Sequence, residues 1–294
     1  MSEAADNGTP AGATEGALAG DLAGGAGVAR RDPESIEYLA TAIATLQRLH
    51  DTQRGPIQRA ADLVADAIAA GGFAHLFGAG HSHQALEEAF PRNGGLVGMR
   101  PLTELALSYY TPVVGNSGAD QMRFFQEVDG LGEIIWRNYR FRQTDCFIVF
   151  TNTGVTKVAL DIAWRAREAG HSVIGVTSLD HAAATGTDHS GGRRLHEIAD
   201  VVIDNCSPAG DAVVRIPGVA EPCGAVSTVT AVSVVNAIAT EAARRLVVRG
   251  EKPWILASPY FEGDDVDVQA RRRAAKAQWD ACMDEFRRRF RGMW

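Results

Sequence analysis

The sequence contains only four cysteines, and no two of them form a CxxC pair. The wide spacing of Cys146, Cys206, Cys223 and Cys282 favours neither a disulfide scaffold nor a cysteine-bound zinc site. Long apolar runs are also missing, since no stretch of about 18 residues is free of polar groups, and this argues against a membrane-spanning helix. The N-terminal region lacks the basic segment and hydrophobic run of a secretory signal. We therefore expect a cytoplasmic protein with no membrane partner.

An excess of positive charge is absent as well. The chain has 29 Lys and Arg residues against 36 Asp and Glu residues, for a formal net charge of −7. This balance provides no broad surface for nucleic acid, so an anionic ligand must be bound locally. The arginines at 271–273 and 287–289 are accordingly expected on solvated faces of a helix.

Glycine-rich nucleotide fingerprints are present only in part. Neither of two glycine-containing turns has the Gly-Lys-Ser/Thr of a Walker A loop. The stretch GAGHSH places His83 where a dinucleotide fingerprint requires a third Gly or Ala, and the next predicted strand ends at Met99-Arg100 without an acidic residue. These departures make a nicotinamide enzyme a weak alternative, and we expect no cofactor.

The N-terminal part of the chain divides at about residue 31. Residues 1–31 are rich in Gly and Ala and have no large aromatic residue, which predicts a disordered tail. Asp32-Pro33-Glu34 is typical of a helix start, and apolar residues follow at helical spacing. Gly55-Pro56 should break this helix, and a second one should run to Gly71-Gly72. The pattern predicts a helical hairpin.

Short apolar runs then alternate with helical patterns. The helix predicted at Val155 to Ala169 lies between two such runs, and this rhythm indicates a parallel sheet covered by helices. A final strand is predicted in ILASPYFEGDD near residue 260. Residues 263–294 are predicted to form a C-terminal amphipathic helix with Trp279, Met283, Phe286 and Phe290 on one stripe. The five predicted sheet strands are at 73–78, 95–99, 146–150, 172–176 and 200–204.

Two strand-to-helix turns carry an unusual number of hydroxyl groups. After the first strand, Gly78 and Gly80 allow close backbone approach and Ser82 adds a hydroxyl. After the strand at 146–150, Thr151, Thr153 and Thr156 surround Gly154. Helix starts at the carboxyl ends of parallel strands favour anions. Ordinary helix capping would explain the hydroxyl groups of one such turn, but two such turns on one sheet edge favour a binding site for a phosphate ester.

These residues resemble the sugar isomerase (SIS) domain. The resemblance extends over about residues 34–262 and is carried by LFGAGHSH, by IVFTNTGVTKVALDIAWRAREAGHSVIGVTS, by GGRRLHEIADVVIDN and by STVTAVSVVNAI. It is greatest to a single-domain bacterial subgroup related to phosphoheptose isomerases and N-acetylmuramic acid 6-phosphate etherases. It implies an α/β fold over residues 32–262, a three-layer αβα sandwich with a mainly parallel, five-stranded, flavodoxin-like sheet after the helical hairpin. A phosphorylated sugar or amino sugar is the implied ligand, and a homodimer or homotetramer the implied assembly.

The resemblance also implies which residues hold the phosphate. In the family, serines and threonines of the two turns carry it, and residues beside them shape the turns. The matching positions here are Gly80, Ser82, Thr151, Asn152, Thr153, Gly154 and Thr156.

The position of the catalytic glutamate departs from the family pattern. Phosphoheptose isomerases and the etherases place a glutamate ten residues beyond the loop serine, where this chain has Arg92. Glu88 lies one helical turn earlier, on nearly the same face of a continuous helix. It is therefore our candidate base, with a solvated surface glutamate as the alternative.

Histidines supply the other candidates. His81 could contact a substrate hydroxyl or act as an acid, or could simply bond to backbone; with His83 alone it would under-coordinate zinc, so no metal site is expected. His189 lies in the long stretch 180–197 and could close over a sugar, although a mobile surface loop explains this stretch equally well.

The resulting hypothesis is a phosphosugar-binding protein that acts as an aldose–ketose sugar-phosphate isomerase through general acid/base proton transfer. A phosphosugar sensor without catalysis is the first alternative, although no helix-turn-helix unit is evident before the SIS region. A lyase or etherase acting on an N-acetylmuramate-like phosphate is the second.

Overall fold

The computed structural model describes residues 36–108, 118–258, 260 and 266–291. The predicted tail and the predicted helix start at Asp32-Pro33-Glu34 lie outside the described residues. The helices are α1 (Glu37–Ala69), α2 (Gln84–Glu87), α3 (Ala119–Gln126), α4 (Leu131–Arg137), α5 (Lys157–Glu168), α6 (Leu179–Ala184), α7 (Leu195–Ile198), α8 (Ser227–Val248) and α9 (Val266–Phe290), with short 3-10 helices at Gly80–His83 and Leu105–Leu107. The strands are β1 (Ala74–Gly78), β2 (Met99–Pro101), β3 (Cys146–Phe150), β4 (Ser172–Thr177), β5 (Val201–Asp204), β6 (Ala212–Val214) and β7 (Cys223–Ala225).

The main sheet has five parallel strands in the order β2-β1-β3-β4-β5. This order is that of flavodoxin-like doubly wound folds, in which the chain reverses its direction of winding between β1 and β3. The predicted α/β class and the parallel five-stranded sheet are confirmed. An antiparallel β6-β7 hairpin, which the sequence pattern does not predict, lies outside this sheet.

Each face of the sheet has its own apolar layer. Along β3, Ile148 and Phe150 face a layer formed with α1, α2 and α8, whereas Phe147 and Val149 face α4, α5 and α7. Successive side chains of a strand point to opposite faces, so a fully apolar strand can bury both. This arrangement gives the predicted three-layer αβα sandwich.

The helical region before the sheet differs from the predicted hairpin. One helix, α1, continues from Glu37 to Ala69 with Pro56 in its interior. A proline there removes a backbone N–H and costs about 3 kcal/mol, which is why the sequence pattern predicts a break at Gly55-Pro56.

Contacts on both sides of Pro56 explain why α1 is continuous. Leu49, before the proline, and Val64, after it, pack into the same apolar layer. Gln53 is fixed from outside the helix, because its Oε1 accepts a hydrogen bond from the Asp204 backbone N–H at 3.1 Å. Tertiary contacts thus override the local preference for a break.

Two of the predicted strands are much shorter in the structure than the sequence pattern predicts. The segment predicted at 95–99 contributes only Met99 to β2, and the predicted final strand is reduced to a single bridge between Leu96 and Ile255. The Val97 N–H donates to the Trp254 carbonyl at 2.8 Å, and the Leu256 N–H donates to the Gly95 carbonyl at 3.0 Å. The two apolar segments therefore pair with each other outside the main sheet.

The C-terminal helix α9 packs against the amino ends of the strands. The predicted stripe is in contact with the core, since Phe286 and Phe290 lie 5.8 and 5.1 Å from the Phe73 ring. The expectation of solvated arginines is wrong for Arg289, which is buried. Its guanidinium donates to the Gly72 carbonyl at 2.7 Å and to the Ile68 carbonyl at 3.1 Å, so carbonyls at the end of α1 take the place of water.

A buried histidine–aspartate pair lies under this helix. His75 Nε2 donates to Asp145 Oδ2 at 2.9 Å, and Asp145 also accepts from the backbone N–H groups of Phe73 and Arg142. Burial lowers the pKa of His75 from 6.5 to about 4, although the bond to Asp145 opposes this shift. Burial alone would raise the pKa of Asp145, but its hydrogen bonds, led by that from His75, lower it overall.

We predict that this pair makes the protein sensitive to acid. Between about pH 6.5 and pH 4 the unfolded chain protonates residue 75 and the folded chain does not, so the unfolding free energy falls as the pH falls. In His75→Gln this part of the decrease is absent, because glutamine does not titrate and can still donate to Asp145. Urea unfolding at several pH values measures the difference, with exposed His50→Gln as the matched control. Equal pH dependence in wild type and His75→Gln contradicts the prediction.

Candidate functional site

A pocket opens at the carboxyl ends of β1 and β3. These strands pair in parallel with Gly78 beside Phe150, so the turns that follow them begin side by side. This position is the point where the winding direction reverses, and crevices of doubly wound sheets bind their ligands there. The pocket has a volume of about 190 Å³, and Gly80, Ser82, Thr151 and Thr156 are among the residues that line it.

The first turn is the 3-10 helix Gly80–His83. Gly80 has φ +58°, a conformation that glycine adopts without strain. A Cβ on Gly78 would lie 3.0–3.1 Å from atoms of Ser82, so the absence of a side chain lets the turn fold back on the strand. The Ser82 side chain lines the pocket, and its hydroxyl forms no hydrogen bond within the described residues. It is therefore available to a ligand.

The second turn brings three hydroxyl groups together. Thr151 Oγ1 lies 2.9 Å from Thr156 Oγ1 and 3.3 Å from Thr153 Oγ1. Thr153 Oγ1 also accepts from the Val155 N–H at 3.3 Å. Because each hydroxyl can both donate and accept, the cluster can turn its protons toward an anion. The structure brings together all three threonines predicted from the sequence.

Asn152 and Gly154 shape this turn. Asn152 Oδ1 accepts hydrogen bonds from Asn205 Nδ2 at 2.8 Å and from Ser207 Oγ at 2.9 Å. Gly154 has φ +72°, and its carbonyl accepts from the Leu195 N–H at 2.9 Å. The turn is thus fixed to the segments that follow β4 and β5. Asn205 also lines the pocket; sequence reasoning misses it, although it directly follows β5 at the same sheet edge.

A third wall of the pocket is likewise absent from the sequence-based prediction. It consists of Asp211 and of Ser227 and Thr228, at the start of α8. One signal for it is STVTAVSVV, a hydroxyl-rich helix start like the other two. The position of Asp211 has no such signal, because the β6-β7 hairpin separates it from α8.

Most of the donors on the two turns are neutral. Lys157 begins α5 beside the threonines, but its ammonium is turned away, 3.2 Å from an Asp188 carboxylate oxygen and 3.5 Å from one of Asp129. The hydrogen bond with Asp188 raises the pKa of Lys157. Within the described residues, the side chains of the pocket lining that can carry a positive charge are His81 and Arg123.

Glu88 does not lie in this pocket. It lines an adjoining cavity of about 430 Å³, which shares Gly80 with the pocket. There it pairs with Arg92 and accepts a hydrogen bond from Asn236 Nδ2 at 2.8 Å. The projection from Ser82 assumes one continuous α-helix, but Ser82 lies in the 3-10 helix Gly80–His83 and α2 begins only at Gln84. The projection therefore does not hold, and Glu88 is not among the residues that line the pocket.

His189 is not at the pocket either, which corrects its predicted position over a sugar. It is buried, its Nε2 donates to Asp161 Oδ1 at 3.0 Å, and its Nδ1 accepts from the Gly191 N–H at 3.1 Å. Nε2 therefore attaches the loop to α5, and Nδ1 fixes the turn within the loop. His81 is the predicted catalytic residue that the structure places in the pocket wall.

The part of the chain that the structure describes offers neither a metal cluster nor a membrane span. Residues 36–108, 118–258, 260 and 266–291 contain no group of three or more His, Cys, Asp and Glu side chains suited to hold a metal ion. Over the same ranges, every helix is too short or too polar to cross a membrane.

Comparison with known proteins gives a family. Residues 37–178 match the SIS domain family. A UPF0309 protein of Geobacillus kaustophilus is 34% identical over 213 residues, which cover 72% of this chain and 82% of that protein. A UPF0309 protein of Brucella canis is 35% identical over 230 residues, which cover 78% of this chain and 91% of that protein. The chain therefore belongs to the family of the UPF0309 proteins and contains a SIS domain, which confirms the predicted resemblance.

Solved structures are similar at a lower level. A phosphoheptose isomerase from Neisseria gonorrhoeae has a TM-score of 0.48 and 15% identity, and the match covers 71% of this chain and 96% of that chain. The Vibrio vulnificus NanR protein, solved with ManNAc-6P, has a TM-score of 0.43 and 14% identity, and the match covers 82% of this chain and 68% of that chain.

We predict that Gly154→Ala distorts the threonine turn. The new Cβ would lie 3.0 Å from Ala182 Cβ and 3.1 Å from Thr177 Oγ1, at a φ that alanine avoids. The expected loss of unfolding free energy is about 1–3 kcal/mol by urea denaturation. Gly186→Ala is the matched control, because nothing lies within 4 Å of where its added methyl group would stand and its φ is outside the left-handed region. Equal stability of both variants contradicts this account of the turn.

Proposed function

We propose that the chain binds a phosphorylated sugar in the pocket between β1 and β3. The observation that carries this proposal is the convergence of Ser82 with Thr151, Thr153 and Thr156 at the switch point of the sheet. The phosphate lies against these hydroxyls and against the N–H groups of the turns. Membership of a SIS-domain family supports the same ligand class.

Neutral donors suit a dianionic ester that must also be released. Hydroxyl and N–H groups at a helix start stabilise an anion without the strong attraction of several fixed cations. The two turns contain no carboxylate that would repel the phosphate, and the nearest ammonium, on Lys157, is engaged by Asp129 and Asp188. Binding of a phosphate ester is therefore favoured over binding of a nucleotide triphosphate, which usually requires a lysine and a metal ion.

We further propose that the protein is an aldose–ketose isomerase in which His81 transfers the proton. Isomerisation requires a base beside the carbonyl carbon and a donor that stabilises the enediolate. His81 lines the pocket, and a neutral imidazole has one ring nitrogen that accepts a proton and another that donates a hydrogen bond. Glu88 lies in the adjoining cavity and in this proposal makes no direct contact with the sugar.

A sensor without catalysis is the second candidate. It is favoured by the position of Glu88, which is held by Arg92 and Asn236 outside the pocket instead of facing a bound sugar. Binding without turnover across a panel of aldose and ketose phosphates distinguishes the sensor from the isomerase.

The proposed phosphate site is tested by Ser82→Ala combined with Thr153→Ala. We expect this double variant to lose affinity for sugar phosphates by about tenfold to hundredfold, because two hydrogen bonds to a charged group are removed. Isothermal titration calorimetry with hexose, heptose and amino-sugar phosphates measures the loss. Thr45→Ala with Thr240→Ala is the matched control, since both hydroxyls only bond carbonyls of their own helices. Unchanged affinity in the pocket variant refutes the assignment.

The proposed proton transfer is tested by comparing His81→Gln with Glu88→Gln. We expect His81→Gln to bind sugar phosphates with nearly unchanged affinity and to lose turnover by at least about hundredfold. Glu88→Gln is expected to retain most of the turnover, because Glu88 lies outside the pocket. Interconversion of aldose and ketose phosphates is followed by NMR. Full activity of His81→Gln refutes the role of His81, and complete loss of turnover in Glu88→Gln assigns the proton transfer to Glu88 instead.

A further inference from the structure

The third wall of the pocket differs in charge from the two turns. Asp211 lines the same cavity as Ser82 and the threonine cluster. It adds a carboxylate to a pocket whose hydroxyl and N–H donors suit an anion. A carboxylate offers only acceptors when it is ionised. Its position in the pocket raises the question of which part of the proposed ligand it faces.

Asp211 is held rigidly at the start of α8. Its Oδ1 accepts from the backbone N–H groups of Val226 at 3.0 Å and Ser227 at 2.7 Å, and its Oδ2 accepts from Ser227 Oγ at 2.6 Å. Asp211 has φ +67° and follows Gly210, which has φ +82°. Aspartate and asparagine tolerate this left-handed conformation better than most residues do.

These bonds have an electrostatic consequence. The positive end of the α8 dipole is already paired with the Asp211 carboxylate, so this helix start does not compete for the phosphate. A phosphate beside Asp211 would place two anions together, whereas a phosphate at the turns after β1 and β3 would not. The ligand therefore has a preferred orientation in the pocket.

We infer that Asp211 and Thr228 bind the hydroxyl groups of the sugar at the end away from the phosphate. This inference rests on the proposed function, because it places the remainder of the same ligand. Oδ1 of Asp211 already accepts two hydrogen bonds, whereas Oδ2 accepts one and retains a lone pair for a sugar hydroxyl. Thr228 lines the pocket beside Asp211, and within the described ranges its hydroxyl bonds no other protein group. The pocket thus selects phosphates that carry a polyhydroxyl chain.

The test uses two phosphate monoesters that differ only in the remainder of the molecule. Methyl phosphate has no hydroxyl chain, whereas sorbitol 6-phosphate has hydroxyls on its other five carbons and no carbonyl group that an isomerase could convert. Affinities for both are measured by calorimetry on the full chain. Asp211→Asn retains an acceptor for the α8 N–H groups and tolerates the same φ, while it removes the charge.

For Asp211→Asn we expect changes of opposite sign. Affinity for methyl phosphate rises about threefold to tenfold, because a like charge in the same pocket is removed. Affinity for sorbitol 6-phosphate falls about tenfold, because hydrogen bonds to a charged acceptor are lost. Asp66→Asn, an exposed site on α1 that pairs with Arg249, is the matched control and changes neither affinity. Changes of the same sign for both esters, or no change, overturn the inference.

A second variant decides the matter if Asp211→Asn does not fold. Thr228→Val keeps the shape of the side chain and removes its hydroxyl. We expect this variant to lower the affinity for sorbitol 6-phosphate by about threefold to tenfold and to leave the affinity for methyl phosphate unchanged. An equal change in affinity for both esters counts against the inference. The proposed function fails separately: wild-type protein that binds neither ester refutes the phosphate site itself, and the inference with it.

Discussion

The parallel pairing of β1 with β3 is the constraint on which the pocket depends. Its register places Gly78 beside Phe150, so that the serine turn and the threonine turn leave the sheet from adjacent strands. The winding of the chain reverses between these two strands, and the helices that follow them do not close the gap. Hydroxyl groups far apart in the sequence can therefore act on one ligand.

Most of the fold can be predicted because its signals are local. CFIVF is a complete buried strand, and the polar residues on both sides mark its ends, so β3 is predicted with its observed bounds. The errors arise where distant contacts decide the outcome. The continuity of α1 through Pro56 depends on packing and on the bond between Gln53 and Asp204, and the pairing of Leu96 with Ile255 depends on two segments far apart in the chain.

The candidate site shows the same division between local and distant determinants. Ser82 and the three threonines can be predicted because they lie in turns that directly follow a strand. Asp211 cannot be predicted in this way, because its hydrogen-bond donor, the Ser227 N–H, lies 16 positions further along the chain. The position of Glu88 is predicted wrongly because the helical projection from Ser82 is sound only within one α-helix, and Ser82 lies in a 3-10 helix that precedes α2. No local pattern marks the change from the 3-10 helix to α2.

Asn152 connects the ends of three strands. It lies in the turn after β3, its side chain accepts from Asn205 and Ser207 beyond β5, and its carbonyl accepts from the Ser178 N–H after β4. The turns that follow β3, β4 and β5 therefore form one hydrogen-bonded rim of the pocket and are not independent loops. Conformational freedom of the threonine turn is lost during folding, so little of it remains to be lost when a ligand arrives. A rim that is already fixed in this way lowers the entropy cost of binding the proposed ligand, so that neutral donors can suffice without several fixed cations.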